Sequence, residues 1–219
     1  MPLPPQYRTP TTYRRFYIAT KATSRRGGFP NPTLELSPMI PDWLPYLLNG
    51  ILLLAIASII YYGIRLGITP MPSSRKAVAT FLNLIPDAID GKIVDLGSGW
   101  GTLAYPIAKR FPDASIVGYE LSPIPWLYSR LKSLFVRRPN LTLRRQSVFD
   151  ADLSDVDVVV VYLHPAAMRK LGPKFEQELR PGTLVLSNTF PVPKWEPAQT
   201  IHLGKSWLST SNDIYVYHV

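Results

Sequence analysis

The chain of 219 residues contains no cysteine. A thiolate is therefore excluded as a nucleophile, as a zinc or iron–sulfur ligand, and as half of a disulfide. Histidine is scarce: His164, His202 and His218 stand at unrelated spacings, nothing resembles a metal cluster, and no metal is expected. Acidic residues are also few, 15 against 24 Lys and Arg, for a formal charge of +9. That excess is uneven. Residues 1–42 hold six bases against two acids, Arg65 stands alone, and residues 70–219 hold 17 bases against 13 acids. The folded part is thus only mildly basic, and nucleic acid is not an expected partner. Arg137, Arg138, Arg144 and Arg145 do cluster, either solvated or facing anionic lipid.

A second absence is local. Residues 43–64, from Trp43 to Ile64, carry no charged side chain. As a helix they would reach about 33 Å, enough to cross a hydrocarbon core of about 30 Å. Trp43, Tyr46, Tyr61 and Tyr62 lie near the two ends, where aromatic belts form. A core helix would seldom lack a polar face over six turns, and a signal peptide would not begin 42 residues in. The expected organisation is a disordered basic tail over 1–42, a transmembrane or membrane-associated helix over 43–66, and one domain over 70–219. The expected location is single-pass in a membrane, with the domain facing the cytosol. The basic residues ahead of the span favour the opposite orientation. A start at Met39 would resolve the conflict, because Arg65, Arg75 and Lys76 would then lie inside and Asp42 outside; the alternative is a helix that lies in the interface or re-enters. N-terminal sequencing that found Met1 or Pro2 in the native protein would refute that start.

The domain opens on a short apolar run, Lys92-Ile-Val, followed by Asp95-Leu-Gly-Ser-Gly-Trp-Gly101 and a helical segment from Thr102 to Phe111. Strand, glycine-rich turn and helix begin a nucleotide-binding half of a doubly wound α/β sheet. A dinucleotide loop, G-x-G-x-x-G, would place its third glycine at 102, where this chain has Thr102. The phase Asp95, Gly97, Gly99, Gly101 suits S-adenosylmethionine (SAM) instead, a cofactor without a pyrophosphate, which needs close backbone approach. Asp95, Gly97, Ser98, Gly99 and Gly101 are the expected loop contacts. Ser115-Ile-Val-Gly-Tyr-Glu120 reads as the next strand, with Glu120 at its tip about 20 residues on, where a carboxylate accepts two ribose hydroxyls. After a third strand, 141–146, Asp150 is the expected partner of the adenine amino group, with Asp152 in competition. Phe149 or Val148 would cover the ring.

Further strands are predicted near 156–162, 182–188, 199–203 and 213–218, with helices near 73–84, 122–137 and 165–180. The run Val156-Asp-Val-Val-Val-Val-Tyr162 suits a central parallel strand. The predicted fold is α/β, a seven-stranded doubly wound sheet of the class I SAM methyltransferase type, closed by a hairpin. Strand four ends at Tyr162-Leu-His164-Pro165, without the Asn/Asp-Pro-Pro-aromatic motif of enzymes that methylate DNA amino groups. The missing cysteine also excludes covalent methylation at cytosine C5. Methyl transfer to an amine needs alignment, desolvation and loss of one proton. Tyr162 and His164 are candidates for positioning or proton removal; the alternative is that His164 caps the next helix and Tyr162 packs.

Phe190-Pro-Val-Pro-Lys-Trp195-Glu-Pro197 resembles the F-P-x-P-x-W-x-P signature of membrane-anchored lysine methyltransferases. That family acts on the mitochondrial ATP synthase c subunit and adenine nucleotide translocase, and has prokaryotic relatives. The similarity extends to Asp95–Gly99, Tyr162-Leu163, Pro181-Gly182, Ser187 and Ile214–Tyr217, and to the hydrophobic segment with Thr69-Pro70 after it. It implies SAM as cofactor, lysine N-methylation of a membrane-embedded protein, and a prokaryotic-type member. Trp100 and Thr102 depart from the family, which carries an acidic residue between the last two glycines and an arginine after them. Trp195, bracketed by prolines, and Phe190 are the expected walls of an alkylammonium channel, the alternative being ordinary loop packing. A small-molecule or lipid methyltransferase and a non-catalytic SAM-binding membrane protein are the alternatives.

Overall fold

The computed structural model describes residues 41–66, 72–204 and 213–219. The expected basic tail, apart from its last two residues, lies outside the described residues, as do Met39, Thr69 and Pro70. The elements run in chain order as α1 (Trp43–Leu66), α2 (Arg75–Leu84), β1 (Lys92–Leu96), α3 (Ala104–Arg110), β2 (Ser115–Tyr119), α4 (Pro123–Phe135), β3 (Leu141–Arg144), β4 (Val158–Val161), α5 (Pro165–Glu178), β5 (Leu184–Asn188), β6 (Gln199–His202) and β7 (Asp213–His218). A single 3₁₀ turn, Val148–Asp150, lies between β3 and β4.

The strands form one seven-stranded sheet in the order β3-β2-β1-β4-β5-β7-β6. β1 to β5 are parallel, and β7 enters antiparallel between β5 and β6. Chain direction across the sheet reverses between β1 and β4, which opens a crevice at their C-terminal ends. The predicted strands are all present. β3 stops at Arg144 rather than 146, because Ser147 then accepts the Phe149 amide (3.2 Å) and turns the chain into the 3₁₀ segment. β4 is likewise shorter than its apolar run, spanning Val158–Val161.

Side-chain alternation along the strands builds two cores. Ile93, Val158, Val160, Leu184 and Leu186 meet Ala77 and Phe81 of α2 and Ile107 and Ala108 of α3. Val94, Leu96, Val159, Val161 and Val185 meet Met168, Leu171 and Phe175 of α5. Strands covered on both faces lose the polar half of their pattern, which is why β4 is four buried valines. Each such side chain contributes roughly 1.5–3 kcal/mol on burial. Helix starts follow local chemistry: Ser74 Oγ accepts the Ala77 amide at 3.1 Å, and Pro123 and Pro165 occupy first-turn positions that need no amide donor.

α1 is different. Of its 24 residues none is buried, and among the described residues it is the one helix long and apolar enough to cross a membrane. Its half-buried residues, Ala55, Ser58, Ile59, Tyr62, Gly63 and Leu66, recur every three or four positions along its second half and so share one face. It touches α4.

Candidate active site

The crevice at the switch point is a cleft of about 350 Å³, in the size range of small-molecule sites. Its floor is the β1–α3 loop. Gly97 and Ser98 donate their amides to the Tyr119 carbonyl of β2, each at 2.9 Å, which ties the loop to the neighbouring strand. Gly97 has φ +85°, and a Cβ there would stand 2.8 Å from Leu163 Cδ2. Gly101 has φ +70°, and its Cβ would stand 2.9 Å from the Tyr105 ring. Both positions therefore exclude a side chain by conformation and by space. The result is a backbone cradle open to the cleft.

Two carboxylates face this cradle with different partners. Glu120 accepts the Gly99 amide at 2.9 Å and the Ser122 amide at 2.6 Å, one on each oxygen. Each oxygen keeps a lone pair for a further donor. Asp95 is fully enclosed; burial, the negative charge of Glu120 nearby and a partly offsetting bond from the Ala104 amide push its carboxyl up to about 7. Asp95 Oδ2 and Ser98 Oγ are buried without a hydrogen-bond partner. Orphaned buried polar atoms are rare and call for a ligand or water. An orphaned carboxylate, a second carboxylate with free lone pairs for a diol, and a glycine cradle together fit the ammonium, ribose and aminoacyl parts of SAM.

Comparison with known proteins agrees. Residues 95–199 match the family model described as the ANTKMT methyltransferase domain. A protein-lysine N-methyltransferase of Saccharolobus islandicus (strain REY15A) is 28% identical over 153 residues, 67% of this chain and 91% of that one. A solved structure described as an RNA methyltransferase from Salinibacter ruber, in complex with S-adenosyl-L-homocysteine, shares 28% identity and a TM-score of 0.59 over 68% of this chain and 93% of that one. The chain is a SAM-dependent methyltransferase. The adenine nucleotide translocase lysine N-methyltransferase of Mus musculus is 32% identical over 145 residues, but the methyltransferase spans only 61% of its length.

Of the residues singled out in the sequence, Asp95, Gly97, Ser98, Gly99, Glu120, Phe149, Tyr162 and His164 all line the cleft, together with Val148. Gly101 lies beneath it, against Tyr105 and Ser129. Asp150 does not line it. Its side chain is exposed on the 3₁₀ turn, and it is Ser147, Val148 and Phe149 that reach the wall. Asp152, its competitor, is turned to Ser154, accepting the amide at 3.0 Å and the hydroxyl at 2.7 Å.

The motif loop of residues 190–197 lies elsewhere. Trp195 is wedged between the rings of Phe175 (6.0 Å) and Tyr217 (5.7 Å), and its Nε1 donates to Glu176 at 3.2 Å. Phe190 packs on the same α5-side core, and its carbonyl accepts from Ser187 Oγ at 2.5 Å. Neither aromatic lines the cleft. The proline-flanked loop, with Thr189 and Lys194 both at positive φ, is clamped to α5 and β7. His164 caps α5, its Nδ1 accepting the Ala166 amide at 3.2 Å. That acceptor role places the ring proton of the neutral form on Nε2.

Sequence reasoning missed several cleft residues: Ile64, Arg65 and Leu66 of α1, Ser122, Leu163 and Lys170. Ser122 and Leu163 were within reach of the same logic, since they follow or separate residues already chosen. Lys170, whose Nζ stands 5.8 Å from the Phe149 ring centroid, lies two turns into α5 and bears no local mark. Nothing in an apolar run indicates that its last turn borders a cleft.

Proposed function

We propose that the protein is a membrane-anchored protein-lysine N-methyltransferase acting on a protein of the same membrane. One observation carries this reading. Ile64, Arg65 and Leu66, the final residues of the apolar helix α1, stand around the same cleft as Asp95, Glu120, Tyr162 and His164. With α1 in the bilayer, the mouth opens at the membrane surface, where a lysine of a membrane protein is presented. The lysine N-methyltransferase names of two similar proteins support an amine as acceptor.

When bound, SAM would supply a methyl group to an amine lone pair, the N–C bond forming in line as the C–S bond breaks and the sulfur leaves as a neutral thioether. Asp95 and Ser98, with their orphaned polar atoms, would hold the cofactor's charged end, and Glu120 would hold the ribose. Tyr162 and His164, which follow β4, line the same cleft and are the groups this reading assigns to the incoming amine. With its Nδ1 committed to the α5 cap, neutral His164 has no free ring acceptor and so does not take the amine's proton. The apolar wall of Leu66, Leu163 and Val148 favours the neutral amine over the ammonium.

The test uses the full chain in vesicles made with its parent membranes and methyl-labelled SAM. Label in a protein band, released as methyl-lysine on hydrolysis, is the expected result. Label that extracts with lipid would overturn the lysine reading in favour of a lipid acceptor. SAM binding by calorimetry without any label would leave a non-catalytic binding protein.

A further inference from the structure

α4 exposes the wrong face for a helix in water. Pro125 and Ser129 are buried against the domain, while Leu127, Tyr128, Leu131, Leu134 and Phe135 are exposed, Tyr128 with one edge on Trp100. Leu134 and Phe135 are 68% and 87% exposed. At 100° per residue these five side chains occupy one stripe opposite the buried face, with Arg130 on one flank and Lys132 on the other. A soluble helix of this size places its charges on that stripe. An exposed apolar patch rimmed by polar residues marks an interaction surface.

Two further observations identify what covers it. Residues 121–149 contain six bases, Arg130, Lys132, Arg137, Arg138, Arg144 and Arg145, and no Asp or Glu. α4 also abuts α1, so its apolar stripe continues an apolar surface already long enough to cross a bilayer. A second copy of the chain laid on this face would bring two sets of bases together, which like-charge repulsion opposes. A bilayer containing anionic lipid meets both the apolar stripe and the basic rim.

We propose that α4 is a membrane-surface helix: Leu127, Leu131, Leu134 and Phe135 rest among the acyl chains of an anionic bilayer while the surrounding bases engage its headgroups. This rests on the reading of α1 as a membrane segment and adds a second attachment that fixes the domain's tilt. It also explains Trp100, the atypical residue of the glycine loop, whose ring meets Tyr128 of α4 edge-on at 5.4 Å. Trp100 joins the cofactor loop to the lipid-facing helix, so the cleft is held at a set height above the bilayer.

The absence of native cysteine makes single-site labelling direct. The full chain carrying Leu131→Cys, Lys109→Cys or Ile51→Cys is labelled with an environment-sensitive fluorophore. Each variant is reconstituted in phosphatidylcholine/phosphatidylglycerol vesicles and checked for unchanged SAM binding. The label at 131 is expected to show about tenfold lower access to aqueous iodide than the label at 109, and quenching by lipid-borne nitroxide, as for a helix buried about 5–10 Å deep. Equal iodide access at 131 and 109 overturns the proposal. Protection at 131 from both quenchers also overturns it, since a protein then covers the face. Ile51 reports the anchor separately: lipid contact at 51 without contact at 131 sinks this inference alone, and loss at 51 sinks the anchor reading.

Discussion

Asp95 and Glu120 are two carboxylates in one cleft with opposite surroundings, and each supports a prediction. Asp95, raised to about 7 from 3.8 chiefly by burial, holds its proton in the folded chain where the unfolded chain has lost it. Between pH 4 and 7 the native state therefore binds more protons, and stability falls as pH rises through that window. A shift of this size corresponds to about 4 kcal/mol at the upper end. Asp95→Asn should flatten the pH dependence of the unfolding midpoint of the cofactor-free protein between pH 4 and 7. A slope identical to that of the parent would show that Asp95 does not titrate there. Glu120 is bonded to two amides and retains capacity for hydroxyl donors. Glu120→Ala should weaken SAM binding about 10- to 100-fold, the equivalent of one or two charge-assisted hydrogen bonds. Calorimetry decides this, and unchanged affinity would remove Glu120 from the ribose role.

At the scale of elements, one of the several contacts that hold the loop 189–197 is buried and easy to cut. Tyr217 of β7 accepts the amide of Val192 on its hydroxyl at 3.0 Å, and Val192 is 1% exposed. Tyr217→Phe strands that amide, which costs about 1–3 kcal/mol. Chemical denaturation should show the loss. The loop should also become the first protease-sensitive site, while SAM affinity stays at the parent value because the loop does not border the cleft. The proline-rich Phe190-to-Pro197 segment is legible as a rigid loop, but its position is not. Trp195 shares its two aromatic neighbours with α5 and β7, elements 20 residues away on either side in sequence, and no local pattern reports such a pairing. Asp150 shows the same limit: its place in the chain after β3 was read correctly, but the 3₁₀ turn that exposes it depends on Ser147 bonding the Phe149 amide.

At the scale of the molecule, α1 and α4 make one apolar surface beside the cofactor cleft. If α1 spans a bilayer, its centre cannot accept charge. Replacing Leu53 and Ile56 by arginine would cost about 2.5–3.5 kcal/mol per site at mid-membrane. The parent chain should remain with membranes through alkaline carbonate extraction and the double variant should be released. Release of the parent would reduce α1 to an interfacial helix at most. The doubly wound sheet itself should be indifferent to these changes, because neither core contains an α1 residue.

The amino-acid order alone determined the strand and helix sequence, the glycine phase that selects SAM, the acid at the tip of β2 and the apolar span. Each is a local pattern, set by a period of two or 3.6 residues or by the backbone freedom of glycine. Tertiary structure alone decided which residues share the cleft and which face outward. Only folding brings the last turn of α1 to the cleft that Glu120 and His164 line, turns Trp195 against the α5–β7 core, and leaves the leucines of α4 uncovered. The reason is physical: burial and apposition depend on contacts between segments tens of residues apart, and a local pattern specifies a face without naming what lies against it.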